Sequence, residues 1–155
     1  MIKLILTKFS GTPKDISNRA YSIVRSMALD KNAIILKTSM GKPYLEGGEF
    51  HFSISHTESM IAIAIAPFNV GIDIEKTDRQ ISEGVAKRFL DGNKSISEWV
   101  HFESFSKLHG DGITVGYSKM KSTPHNFCEL ELFGHKLCVC SFGDLTLQMI
   151  PCPKL

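Results

Sequence analysis

An α+β fold is the class this sequence predicts, and three observations carry the prediction. A strand-like start, residues 2–7, is followed by an amphipathic helical stretch. Residues 60–66 are apolar on both faces, as a central buried strand requires. Two helical stretches over 83–109 then precede three short strand-like runs. The order is strand, helix, strands, then strand, helices, strands. It suggests one domain of 155 residues built from two similar halves, about 1–66 and 67–155, meeting near residues 67–71.

Each element has a local reason. Thr12-Pro13-Lys14-Asp15 opens a helix to about Asp30, with Ile16, Ala20, Ile23, Val24 and Met27 at helical spacing. Residues 33–38 read as a short strand, and Gly41-Lys42-Pro43 and Glu46-Gly47-Gly48-Glu49 as turns. His51 to Ser55 alternates, with Phe52 and Ile54 on one face and Ser53 and Ser55 on the other. Pro67-Phe68-Asn69 turns the chain into a strand holding Asp73. Residues 83–90 look helical. Ser95-Ile96-Ser97-Glu98 reads as a capping box launching a helix to about His109, stopped by Gly110. Strands are expected over 128–133, 136–141 and 145–150.

Composition narrows the function. Hydrophobic residues make up 43%, enough for a real core. A formal net charge of +2 gives no argument for a nucleic-acid partner. No apolar stretch is long enough to span a membrane, and the apolar start is too short and interrupted for a signal peptide, so a cytoplasmic location is expected. Cys128, Cys138, Cys140 and Cys152 form no CxxC pair. They read as reduced structural thiols, since a zinc site would need closer grouping with the histidines.

The chemistry centres on Gly71-Ile72-Asp73-Ile74-Glu75 and Glu103-Ser104-Phe105-Ser106-Lys107. Side chains at i and i+2 of a strand share a face, so Asp73 and Glu75 leave one face together while Ile72 and Ile74 enter the other. Two adjacent carboxylates repel unless a cation lies between them, and hard oxygen ligands suit magnesium. Glu103 can supply a third carboxylate, with Lys107 one turn further on. On the helical wheel Glu103 and Lys107 fall among Ile96, Trp99 and Val100, while Phe102, Phe105 and Leu108 make a second apolar arc. Such a helix should be largely buried, and a carboxylate on it needs a compensating partner. An ion pair with Lys107 alone is the simple alternative.

The order of the motifs is more specific than any one of them. Gly41-Lys42-Pro43 is followed by Phe52-Ser53-Ile54-Ser55-His56-Thr57, the Asp73 segment, Arg88-Phe89, Trp99 with Glu103-Ser104 and Lys107, and Gly110-Asp111-Gly112-Ile113. Over roughly 41–113 this resembles a 4′-phosphopantetheinyl transferase of the surfactin-synthetase-activating, pseudo-dimeric type. The Ser-His motif precedes the acidic one, unlike in the trimeric holo-acyl-carrier-protein synthase type. The resemblance implies the corresponding fold, with two similar α/β halves. It implies magnesium (or manganese) held by Asp73, Glu75 and Glu103, with Glu103 also the general base for a carrier serine. Lys107, Lys42 and Ser55 match groups holding the coenzyme A diphosphate, His56 a contact to the 3′-phosphate, and Arg19 a further one. The implied partners are coenzyme A and an apo acyl or peptidyl carrier protein of fatty-acid, polyketide or peptide synthesis. A monomer is expected, with no nucleic-acid or membrane partner. Two departures stand out: Phe102 precedes Glu103 where the family usually has lysine, and the stretches before Gly41 and between Phe89 and Trp99 are short. A non-catalytic coenzyme A or carrier-binding module and a magnesium-dependent phosphohydrolase are the competing readings.

Overall fold

The computed structural model describes residues 1–154. The strands are β1 (Ile2–Lys8), β2 (Ile35–Lys37), β3 (Pro43–Leu45), β4 (His51–His56), β5 (Met60–Ala66), β6 (Val70–Lys76), β7 (Asn126–Leu132), β8 (His135–Ser141) and β9 (Leu147–Met149). The helices are α1 (Pro13–Met27), α2 (Glu83–Phe89), α3 (Ile96–His109) and α4 (Tyr117–Ser122), with a 3₁₀ turn at Gly112–Val115. The first sheet runs β4-β5-β1-β9, the second β6-β8-β7, and β2 and β3 form a separate ribbon. The mixed α+β class is the one the sequence predicts.

The molecule has four layers. α1 places Ile16, Ala20, Ile23 and Val24 against Ile5, Ile61, Ile63 and Ile65 on one face of the first sheet. The other face, with Leu4, Ala62 and Ala64, packs against Ile72, Ile74, Leu137 and Val139 of the second sheet. Beyond that, Cys138 and Cys140 meet Phe102, Phe105 and Leu108 of α3. β5 is thus covered on both faces, as its unbroken apolar run predicts, and each fully buried isoleucine contributes about 1.5–3 kcal/mol. Ile72 and Ile74 enter the core between the sheets, so Gly71, Asp73 and Glu75 face α3.

Where β4 and β6 run together, side chains replace the ladder. Ser53 Oγ accepts from Ile72 N–H at 3.1 Å and Ser55 Oγ from Ile74 N–H at 3.3 Å. The serine face of β4 is therefore buried against β6, and Ser53 and Ser55 satisfy an otherwise open strand edge.

Several expectations need adjustment. α1 stops at Met27, because Ala28 is extended (ψ 153°) and Glu49 captures the Leu29 N–H. The turn at Gly41 closes a β2–β3 ribbon whose second strand contains Pro43 and was not expected. Residues 112–122 are largely helical, held by Tyr117 and Met120 in the α3 core. Ser95 caps α3 through the Glu98 N–H, but the Glu98 carboxylate accepts from Tyr117 Oη (2.6 Å) and Lys121 Nζ (2.9 Å) rather than completing a capping box. The chain does not divide cleanly at residue 66, because β9 returns to pair parallel with β1.

Candidate active site

Backbone proximity builds this site. A Cβ on Gly71 would lie 1.9 Å from Ser104 O and 2.5 Å from Leu108 N, so only glycine lets α3 lie directly on β6. That contact holds Glu103 and Lys107 over Asp73 and Glu75. Together with Ile54, Ser55, His56, Arg79 and Trp99 they line one open cavity of about 400 Å³.

Asp73 is 4% exposed. Its Oδ1 accepts from Ser55 Oγ at 2.7 Å and from Lys107 Nζ at 2.7 Å. Its Oδ2 is buried without a partner. Burial is the largest influence and raises the Asp73 pKa against the lowering effect of Lys107. Glu75 accepts from Trp99 Nε1 at 3.1 Å and pairs with Arg79. The Glu103 carboxyl is pushed up to about 7, first by burial and then by the neighbouring Asp73 charge. Lys107 bonds Asp73, so a simple Glu103–Lys107 pair is not what forms. Three carboxylates face the two cations Lys107 and Arg79, an excess of negative charge when all are ionised.

The chemistry of this donor set is that of a hard divalent cation, but the three carboxylates do not each bring an oxygen within 4.8 Å of the other two, so holding an ion would require them to draw together. All three candidate ligands offer oxygen, they line one cavity, and one buried carboxylate oxygen lacks a partner. Magnesium is suited by oxygen donors and prefers few protein carboxylates with substrate oxygens completing its shell.

The remaining predicted residues are placed less uniformly. His56, exposed at the end of β4, lines the cavity beside Ser55. Lys42 is outside it. Its Nζ donates to Asn69 Oδ1 (2.9 Å) and to the Leu108 carbonyl (3.1 Å), a favoured position for a cation at the C-terminus of α3. Desolvation lowers its pKa to about 8. Lys42 shares an adjoining cavity of about 210 Å³ with Lys107 and Ile54, two residues that also line the first. Arg19, half-buried on α1, is not among the residues lining either space. Sequence reasoning missed the parts played by Arg79 and Trp99 around Glu75. Trp99 was visible on the Glu103 side of the helical wheel; Arg79 follows the strand in a turn and gave no periodic signal.

Phe102, the departure from the expected lysine, is fully buried. Its ring lies 6.5 Å from Phe89, 6.3 Å from Trp99 and 6.0 Å from Tyr117. It anchors α3 while Glu103, the next residue, faces the cavity.

No family model matches the chain. Among curated proteins, it is 30% identical over 149 residues to the 4′-phosphopantetheinyl transferase gsp of Aneurinibacillus migulanus, covering 76% of this chain and 62% of that protein. It is 34% identical over 110 residues to the 4′-phosphopantetheinyl transferase Sfp of Bacillus subtilis, covering 60% and 49%. A third, the 4′-phosphopantetheinyl transferase psf-1 of Bacillus pumilus, is 32% identical over 108 residues, covering 59% and 46%. The chain thus spans about half to three fifths of the length of these relatives. With the acidic motif, the Ser-His strand and the α3 glutamate gathered on one cavity, the chain is similar in sequence to these 4′-phosphopantetheinyl transferases.

Proposed function

We propose that this protein transfers the 4′-phosphopantetheine group from coenzyme A to a serine of an apo acyl or peptidyl carrier protein in a magnesium-dependent reaction. The observation that carries this reading is the placing of Asp73, Glu75 and Glu103 on one cavity, with one buried carboxylate oxygen unpartnered, beside Lys107 and His56. Asp73, Glu75 and Glu103 would hold the cation. Bound magnesium would neutralise charge on the diphosphate and on the departing bisphosphate.

The protein's own groups supply the rest. Lys107 holds a diphosphate oxygen as a point charge, exchanging part of its contact with Asp73 for phosphate. His56 lies at the exposed rim, suited to the 3′-phosphate, and Lys42 lines the adjoining space into which an elongated ligand extends. Arg19 is assigned a second contact to that phosphate on resemblance alone. Glu103, poised near neutrality, accepts the proton of the carrier serine hydroxyl. The serine oxygen bonds to the β-phosphorus as the bond from that phosphorus to the bridging oxygen breaks. The leaving adenosine bisphosphate carries away the electron pair.

Both motif sets lie in one chain, so a monomer suffices for this site. No helix among the described residues is long and apolar enough to cross a membrane. The test is incubation with coenzyme A, magnesium and an apo-carrier, read by intact mass of the carrier. The expected result is a gain of one phosphopantetheine, abolished by a chelator. Full conversion with the chelator present would remove the carboxylates from the role given to them.

A non-catalytic module that captures coenzyme A is the second reading. The pairing of Lys107 with Asp73 and Arg79 with Glu75 favours it, since these cations already offset two carboxylates. Coenzyme A binding without any carrier modification would decide for it.

A further inference from the structure

On the far side of α3 from the carboxylates, a second cluster gathers three residues that lie well apart in sequence. His101 is on α3, His125 lies between α4 and β7, and Cys140 is on β8. One ligand atom from each lies within 4.8 Å of the others. His101 is 9% exposed and Cys140 is fully buried.

The hydrogen bonds orient these groups as ligands. His125 Nδ1 lies 2.7 Å from the Thr123 carbonyl oxygen, which can only accept, so Nδ1 carries a proton. In the neutral ring Nε2 then presents a lone pair, and it points at His101 Nε2, 2.6 Å away. A backbone carbonyl fixing the far nitrogen of an imidazole is the usual outer support of a metal-bound histidine. Phe127, itself half-exposed, stacks on His101 at 3.8 Å and Phe105 lies 4.7 Å from His125, so aromatic rings flank the pair on its inner side while solvent can reach its rim. Two imidazoles and a thiolate suit a borderline-soft ion rather than magnesium.

We infer that His101, His125 and Cys140 form a site for a borderline-soft divalent metal ion, zinc above all, that pins α3 to β8 and to the chain entering β7. Binding needs three adjustments: the proton that His101 Nε2 shares with His125 shifts to His101 Nδ1, the two Nε2 atoms open from 2.6 Å to about 3.3 Å, and the Cys140 sulfur closes on them from within 4.8 Å, as zinc–nitrogen bonds of ~2.0–2.1 Å and a zinc–sulfur bond of ~2.3 Å in tetrahedral array require. The Cys140 thiol gives up its proton to solvent as the bond to the ion forms. A fourth position is left for water or Ser104 Oγ, 3.0 Å from the Cys140 sulfur. The bound ion would brace α3 two residues before Glu103. It does not depend on the transferase reading, because its ligands face away from that cavity.

The probe is cobalt(II), added to reduced protein stripped with a chelator and then displaced by zinc. One equivalent should give the intense visible bands of tetrahedral cobalt together with a thiolate-to-cobalt charge-transfer band. Zinc should abolish both and raise the unfolding temperature. Cys140→Ser should lose the charge-transfer band. His125→Gln, at a half-buried position, should weaken cobalt binding at least tenfold while remaining folded. If Cys140→Ser does not fold, the His125 variant decides alone. Weak octahedral bands without charge transfer would mean that cobalt sits on the carboxylates. That outcome, or unchanged binding in the His125 variant, would overturn the inference and leave a hydrogen-bonded imidazole pair.

Discussion

Two clusters share α3, and they differ in how the chain announces them. Asp73 and Glu75 are i, i+2 on one strand, and Glu103 and Lys107 are i, i+4 on one helix. Periodicity alone puts each pair on a common face. The His101, His125 and Cys140 cluster has no such spacing; 24 residues separate the two histidines and 39 separate His101 from Cys140. At 100° per residue, His101 and Glu103 point to nearly opposite sides of α3. One side meets β6 through hard oxygen donors, the other meets β8 through soft ones. Local pattern reveals clusters that neighbours in sequence supply. Clusters that only tertiary packing brings together stay hidden until the fold is known.

The sharpest way to break the comparison is at Gly71, which both sides of α3 depend on. An added Cβ would run into backbone atoms that cannot rotate away. Gly71→Ala should cost about 3 kcal/mol or more, as overpacking against fixed backbone does. Chemical denaturation checks it, and a stability within 1 kcal/mol of wild type (about the scatter of surface substitutions) would mean α3 can move off β6 freely.

Lys107 tests the carboxylate side alone. Lys107→Ala should weaken coenzyme A binding by about 1.5–3 kcal/mol, the range for a charge-assisted hydrogen bond. Calorimetric titration reads it. The variant also leaves Asp73 without its cation, so it should lose stability as well.

Protonation tests the carboxylate side through pH. The Glu103 pKa is raised from 4.5 to about 7 in the fold. The folded state therefore binds more protons than the unfolded one between those values, and stability from this group is lost as pH rises through about 7. Asp73 shifts in the same direction. Magnesium competes with those protons, so its stabilisation should be larger near pH 8 than near pH 5.5, about 2–3 kcal/mol at a hundredfold excess over its Kd. Thermal unfolding with and without magnesium at both pH values measures the difference. Equal shifts would place the ion elsewhere.

The smallest effect is expected at the rim. His56→Ala should lower affinity for coenzyme A by about 1–2 kcal/mol but leave 3′-dephospho-coenzyme A nearly unaffected. Equal losses for both ligands would move His56 away from the 3′-phosphate.

Much of the frame was legible. The apolar 60–66 run, the Ser95 and Gly110 ends of α3 and the Ile72/Ile74 face all follow from periodicity and capping. Less legible was why Ser53 and Ser55 are buried. The alternation separates them from Phe52 and Ile54, but only the approach of β6 tells that hydroxyls replace a strand ladder there. The helical segment at Gly112–Ser122 lacks side-chain caps and so gave no starting signal. Lys42 reads as a basic turn residue, yet packing makes it a tie to the end of α3. In each case the missing information is a partner distant in sequence.

The most direct measurement of the central claim compares wild type and Glu103→Gln under saturating coenzyme A and magnesium. Conversion of an apo-carrier is followed by intact mass, with thermal unfolding confirming that both proteins are folded. Glutamine nearly preserves the shape of the side chain but removes the charge of a proposed ligand and the proposed base. The account predicts wild-type conversion and a loss of about 10²–10⁴-fold in the variant. Near wild-type turnover by a folded Glu103→Gln protein would contradict it.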